Sequence, residues 1–264
     1  MSIKKIFLTS TFFVFAIFYV EDVISQESSN SRLEEVVVTA QKKEEGLSEV
    51  PISIQVLSDE MIESRGVTSM KHLAEYIPGL HISKGAGEWN VYMRGIGSGT
   101  NKGFSQSITT FIDGMPITRG EQYSSPLLDV ERVEVLKGTQ GVLFGKNTIG
   151  GVVNLISRSP DIGGDANGNF LLETVPEWNT TKCQGAANIP VSDTFAMRIA
   201  ASVEETDGWT YNALLKQDGP QNEKTAIRAT FLWELDNLEV NLKVSSASLE
   251  RRGQQGTIRI LRSP

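Results

Sequence analysis

The stretch Phe195-Ala-Met-Arg-Ile-Ala-Ala-Ser-Val203 decides the architecture of the second half of the chain. Phe195, Met197, Ile199, Ala201 and Val203 are apolar at every second position, with Ala196, Arg198, Ala200 and Ser202 between them. A period of two belongs to a β-strand, whose successive side chains point to opposite faces. The pattern returns at Ile227, Ala229, Phe231, Trp233 and Leu235, against Arg228, Thr230 and Glu234. It returns again at Leu238, Val240, Leu242 and Val244, against Asn241, Lys243 and Ser245. Asp207-Gly208 and Asp236-Asn237 supply turns. With weaker candidates at Asn169–Val175 and Thr180–Ile189, about five strands are expected after Asp161, each of about 10 residues with one apolar face. Transmembrane β-strands have this signature: lipid takes the apolar face, and an aqueous lumen accepts Arg198, Arg228, Lys243 and Glu234. A soluble sandwich with one wet face has the same period. Periodicity leaves both open.

Upstream, residues 46–160 read as a small mixed α/β unit. Ile52, Ile54 and Val56 alternate in a strand over Val50–Leu57, and Ser58 can cap a short helix that stops near Gly66. A second helix starts about Thr68 or Ser69. Met70, Leu73, Ala74 and Ile77 form its apolar stripe, and Pro78-Gly79 ends it. Short strands separated by glycine loops follow at Val91–Arg94 and Ile108–Ile112, then at Met115–Thr118 beyond the tight-turn dipeptide Asp113-Gly114. In Glu131–Lys137, Val133 and Val135 share one face, and Arg132, Glu134 and Leu136 the other. Val152–Ile156 is the last strand of the unit.

The chain opens with Lys4 and Lys5 and an apolar run of about 15 residues, Ile6 to Val20. That is short for a membrane helix and fits a signal peptide over residues 1–25, cleaved after Ser25; an uncleaved anchor is the alternative. Residues 26–45 read as a flexible leader carrying Glu34-Glu-Val-Val-Val-Thr-Ala40. Three consecutive valines make a short strand former between solvated stretches, suited to strand addition on a partner's sheet edge. The edge strand of the following domain fits the same residues equally well.

Other chemistry is weakly represented. The net charge of −7 argues against nucleic acid. Cys183 is the single cysteine and cannot form an internal disulfide. Gly141–Lys146 falls short of a phosphate-binding loop, since Gln140 stands at its first glycine position and Asn147 replaces the Ser or Thr. His72 and His81 lack partners at metal-ligand spacing, and no nucleophilic set is placed for catalysis. The chain reads as a non-enzyme without metal or cofactor.

Several segments together resemble one family. Glu35-Val-Val-Val-Thr-Ala40 is similar to a TonB box. Arg94-Gly95, Phe111-Ile-Asp-Gly114 and Val130-Glu-Arg-Val-Glu-Val-Leu-Lys-Gly138 resemble, in order and spacing, the plug of a TonB-dependent outer-membrane receptor. Gln140-Gly-Val-Leu-Phe-Gly145 leading into Asn147-Thr-Ile-Gly-Gly-Val-Val-Asn154 adds to that likeness. Thr139 departs from the family's usual proline. The resemblance implies an α+β plug domain over residues 46–160, followed over 161–264 by the first antiparallel strands of an incomplete transmembrane β-barrel. It further implies active uptake across the outer membrane of a ferric siderophore or similar scarce nutrient. TonB, driven by its inner-membrane proton-motive complex, would engage Glu35, Val36, Val37, Val38, Thr39 and Ala40. Arg94, Glu131, Arg132 and Glu134 are expected to anchor the plug by charge-assisted pairs, to each other or to the barrel wall. Trp89 and Phe104, at the plug apices, are candidate ligand contacts. Because about five strands cannot close a large barrel, a truncated chain unable to transport by itself is expected. The alternative is a plug-only module that binds TonB or ligand without transport.

Overall fold

The computed structural model describes residues 37–39, 43, 45–46, 50–67, 69–84, 89–99, 106–117, 123, 126–208, 210–212 and 216–253. The expected signal peptide and most of the leader lie outside these residues.

The α/β unit is built on a five-stranded sheet. Its strands are β3 (Ile54–Ser58), β7 (Ile108–Ile112), β8 (Met115–Ile117), β9 (Val130–Lys137) and β10 (Gly151–Ser157), in the order β3-β9-β10-β7-β8. Only β7 and β10 run parallel; the other neighbours are antiparallel. Ahead of this sheet lies the two-residue ladder of β1 (Val37–Val38) and β2 (Glu45–Gly46). A smaller sheet holds β4 (Leu80–Lys84), β5 (Trp89–Met93) and β6 (Ile96–Gly97). The two expected helices are α1 (Asp59–Ser64) and α2 (Met70–Glu75), and Ser58 and Ser69 cap them by accepting from the amides of Met61 and His72. A third, α3, spans Gly141–Phe144.

Alternation on β9 explains the layering. Val133 and Val135 pack with Leu57, Met70, Leu73 and Ile77, so the helices cover that face. Leu136 points to the other face and packs with Val38, Phe111 and Val152. Each fully buried valine contributes roughly 1.5–3 kcal/mol relative to exposure. The Asp113-Gly114 turn joins β7 to β8 with φ of +49° and +78°, as a tight two-residue hairpin loop demands.

The second half is one antiparallel sheet in sequence order. It comprises β11 (Asn167–Val175), β12 (Thr180–Ser192), β13 (Phe195–Thr206), β16 (Gln221–Leu235) and β17 (Leu238–Arg252). The five expected strands are all present and do not close into a barrel. Asp236-Asn237 forms a tight turn, as expected. Asp207-Gly208 does not. It opens a longer connection carrying its own hairpin, β14 (Thr210–Asn212) with β15 (Gln217–Gly219). Polar residues without alternation hid that hairpin.

Exposure separates barrel from sandwich. Along β13 the inner face is buried, with Ala196 at 0% and Ala200 at 2% exposure, and Ala200 packs with Leu128 of the α/β unit. The apolar face is open, with Ile199 at 39% and Val203 at 50%. Leu242 on β17 continues this face at 49%. A soluble sandwich would bury the apolar side. Here polar and small residues are inside and the apolar stripe faces outward, the arrangement of a membrane barrel wall.

Candidate functional site

The segment Val37–Thr39 is docked on the α/β unit. Val37 and Val38 pair with Gly46 and Glu45, so among the described residues the strand's backbone ladder is with its own downstream chain and not with the five-stranded sheet. Val38 is fully buried among Phe111, Leu136 and Val152. The Thr39 amide donates to Glu134 Oε1 at 2.8 Å, and its hydroxyl donates to the same carboxylate at 3.2 and 3.4 Å. Arg132 Nε donates to Glu134 Oε1 at 3.0 Å and Asn154 Nδ2 to Oε2 at 3.3 Å. Glu134 is itself fully buried. Glu35, Val36 and Ala40 lie outside the described residues.

Of the four charged residues expected to anchor the unit, three come together. Arg132 bridges Glu131 and Glu134. Arg94 is turned elsewhere: exposed, at φ +50°, it donates to Ser53 Oγ at 3.0 Å. Burial and the neighbouring Arg94 guanidinium hold the Lys137 ammonium below its usual range. Trp89 is half-buried at the start of β5, and its carbonyl accepts from Gln106 Nε2 at 3.4 Å. Phe104 lies outside the described residues.

Contact with the wall is made by aspartates that sequence reasoning passed over. Asn188, Arg198, Thr230 and Lys243 fall in one register row across β12, β13, β16 and β17. Arg198 Nε and Nη2 each meet one carboxylate oxygen of Asp129 at 2.7 Å. Lys243 Nζ meets Asp113 Oδ1 at 2.9 Å and Ser157 Oγ at 3.0 Å. Asn188 exchanges two hydrogen bonds with the Asp161 backbone, at 2.9 and 3.0 Å. Two residues along β16 from that row, on the same inner face, Arg228 Nη1 donates to the Leu128 carbonyl at 3.0 Å. Thus Arg198, Arg228 and Lys243 face the α/β unit rather than open lumen, whereas Glu234 is exposed. Asp113 and Asp129 both sit at positive φ, +49° and +50°. Burial alone would raise the Asp113 pKa, but hydrogen bonds from Ser157 and the Lys243 ammonium outweigh it and hold the carboxyl below its usual range. The signal that could have found this row was the pair of cations on the polar faces of β13 and β17, Arg198 and Lys243, placed level by hairpin register. A cavity of 860 Å³ runs from Thr39 and Asn154 to Asp113, Arg228 and Lys243. Among the described residues no group of three His, Cys, Asp or Glu side chains could hold a metal.

This geometry, a mixed sheet clamped inside a barrel wall with a short strand docked beneath it, defines the class. Residues 46–152 match the family TonB-dependent Receptor Plug Domain. Over those residues the chain carries the plug domain of the TonB-dependent receptors. It is 29% identical over 186 residues to the iron-regulated outer membrane virulence protein of Vibrio cholerae, covering 66% of this chain and 28% of that protein. It is 30% identical over 185 residues to the vitamin B12 transporter BtuB of Vibrio vulnificus, again 66% of this chain and 28% of that one. The ferric yersiniabactin uptake receptor FyuA of Yersinia pestis shares the fold at a TM-score of 0.67 and 22% identity, over 75% of this chain and 32% of that one. The pyoverdine receptor FpvA of Pseudomonas aeruginosa gives 0.68 at 20% identity, over 82% and 30%. The chain therefore spans less than a third of the length of these relatives.

Proposed function

We propose that the chain belongs to an uptake system in which TonB, powered from the inner membrane, draws a ferric siderophore or similar scarce nutrient across the outer membrane. Residues 35–40 are the coupling segment, residues 46–160 the plug, and the strands after 161 the start of the barrel. The observation that carries this reading is the docked segment itself. It is a strand former whose backbone ladder, among the described residues, is two residues long, so it can exchange that ladder for a partner's edge once Val38 and Thr39 leave their seat. An outer membrane offers no nucleotide or ion gradient, so work must arrive through such a contact. Transport of iron chelates and of vitamin B12 by relatives supports the nutrient class. Lipid contact is supported by the outward apolar face and by stacking of Phe195 on Trp233 at 4.8 Å beside the tight turn, where an aromatic girdle would sit.

The test is a pull-down of the chain with a TonB C-terminal domain. Val37→Pro removes the amide that strand pairing needs, so capture is expected to fall to background. Undiminished capture would remove residues 35–40 from the reading.

A further inference from the structure

We infer that Glu134 is the positioning residue that holds the coupling segment docked and so sets how often that segment is free. The inference rests on reading residues 35–40 as the coupling segment. A carboxylate with no exposure must be supplied with donors, or its burial is strongly unfavourable. Glu134 draws its donors from three places: Arg132 on its own strand, Asn154 on β10, and Thr39 on the docked segment. Of the three, Thr39 can leave without breaking the plug sheet, because among the described residues β1 pairs with β2 alone.

The choice of a carboxylate has a physical logic. An apolar residue at position 134 would hold Val38 and Thr39 by burial alone, and undocking would leave that surface in water. Glu134 holds Thr39 with two donors while docked. Once Thr39 leaves, the cavity already bordered by Thr39 and Asn154 extends to the carboxylate and hydrates it. Hydration of the freed charge offsets part of the lost bonding, so the latch is firm but reversible. Val38 in its apolar seat and Thr39 on Glu134 make a two-point contact in which the polar point governs release.

Hydrogen–deuterium exchange on the full chain in detergent micelles, paired with titration of a TonB C-terminal domain, tests this. In Glu134→Ala the Thr39 amide is expected to exchange about 10- to 100-fold faster, the range for loss of a charge-assisted bond. Affinity for the TonB domain is expected to rise in proportion. Glu134→Gln keeps an acceptor and falls between. A merely structural residue would speed exchange throughout β9 and β10; a latch leaves the amides of Val133, Val135 and Val153 protected. Thr39→Val removes only the hydroxyl, from outside the plug core, and decides the matter if Glu134→Ala does not fold. It is expected to speed exchange about 3- to 10-fold. Unchanged Thr39 exchange in Thr39→Val and in a folded Glu134→Ala overturns the latch. Faster exchange with no TonB-domain binding in any variant leaves the latch standing and removes the coupling reading instead.

Discussion

Arg198 on the barrel wall grips Asp129 on the plug side-on, with two hydrogen bonds of 2.7 Å and both side chains buried. The bidentate fit satisfies both charges where water is excluded, and it holds Asp129 at φ +50°. Cutting either side chain back strands the other as a buried charge, which costs about 3–5 kcal/mol. Asp129→Ala and Arg198→Ala should therefore lower the free energy of plug–wall unfolding by that much, read from the midpoint and slope of urea titrations. The pair Asp129→Leu with Arg198→Met should recover most of the loss. Single variants that unfold with the wild type would show that the pair is hydrated and of little weight.

The Lys243–Asp113 contact predicts a pH dependence. Asp113 keeps a pKa below the ordinary carboxylate value of 3.8 because the Ser157 hydrogen bonds and Lys243 outweigh burial. A folded pKa lower than the unfolded one means that the contribution is fully present above the unfolded value. It is lost as pH falls through the folded value. Plug–wall stability should be insensitive to this contact from neutrality to about pH 5 and should fall steeply below about pH 4. In Asp113→Asn that acid-side loss should shrink, with stability already reduced at neutral pH. Identical acid limbs for the two proteins, followed by near-ultraviolet circular dichroism, would remove Asp113 from the clamp.

Much of this fold is legible because periodicity is local. Val133 and Val135 against Glu134 and Leu136 assign both faces of β9, and the five wall strands are readable, although β16 begins at Gln221, well ahead of the alternation from Ile227, and β17 runs on past Ser245 to Arg252. Two things are not local. The side of the wall that meets lipid depends on what covers Ala196 and Ala200, and a sandwich carries the same alternation. The clamp joins Asp129 to Arg198 across 69 positions, and only the stacking of hairpin registers brings Asn188, Arg198 and Lys243 level. Asp113 was readable as a turn residue, which it is. Its second role as the seat of Lys243 left no separate mark, because one side chain serves both. Glu134 is legible by its charge and meets Arg132, one of the residues expected to pair with it, but its hydrogen bonds from Thr39 join positions 95 apart and leave no local mark.

Outward-facing Leu242, cross-strand from Phe231, should be intolerant of charge. Arginine there would place a guanidinium in the apolar band, at a cost of about 2–4 kcal/mol near a bilayer midplane. Asn241→Arg, one residue away on the inner face beside the cavity, should cost little. Urea titration of the chain folded with phospholipid vesicles compares the two. Equal midpoints would mean that the apolar face does not meet lipid.

Gly151 is the position where a single methyl should disturb both plug and latch. A Cβ there would lie 2.3 Å from the Met93 sulfur and 2.4 Å from the Leu136 carbonyl oxygen. The thioether can swing aside. The carbonyl belongs to the neighbouring strand, where Gly151 is paired with Lys137, so relief requires β9 and β10 to separate. Leu136 and Val152 form the seat of Val38, so the separation opens the docking site of Val37–Thr39 as well as the sheet. Gly151→Ala should lower stability by about 1–3 kcal/mol, the range for overpacking, and speed exchange of the Thr39 amide more than that of the helix-covered strand amides. Gly141→Ala is the control. A Cβ there meets nothing within 4 Å, and it sits at the first position of a helix, where alanine is favoured over glycine. Thermal melts that place both variants with the wild type would show that β9 and β10 can part at Gly151 without loss, and that the seat of Val38 does not depend on their close approach.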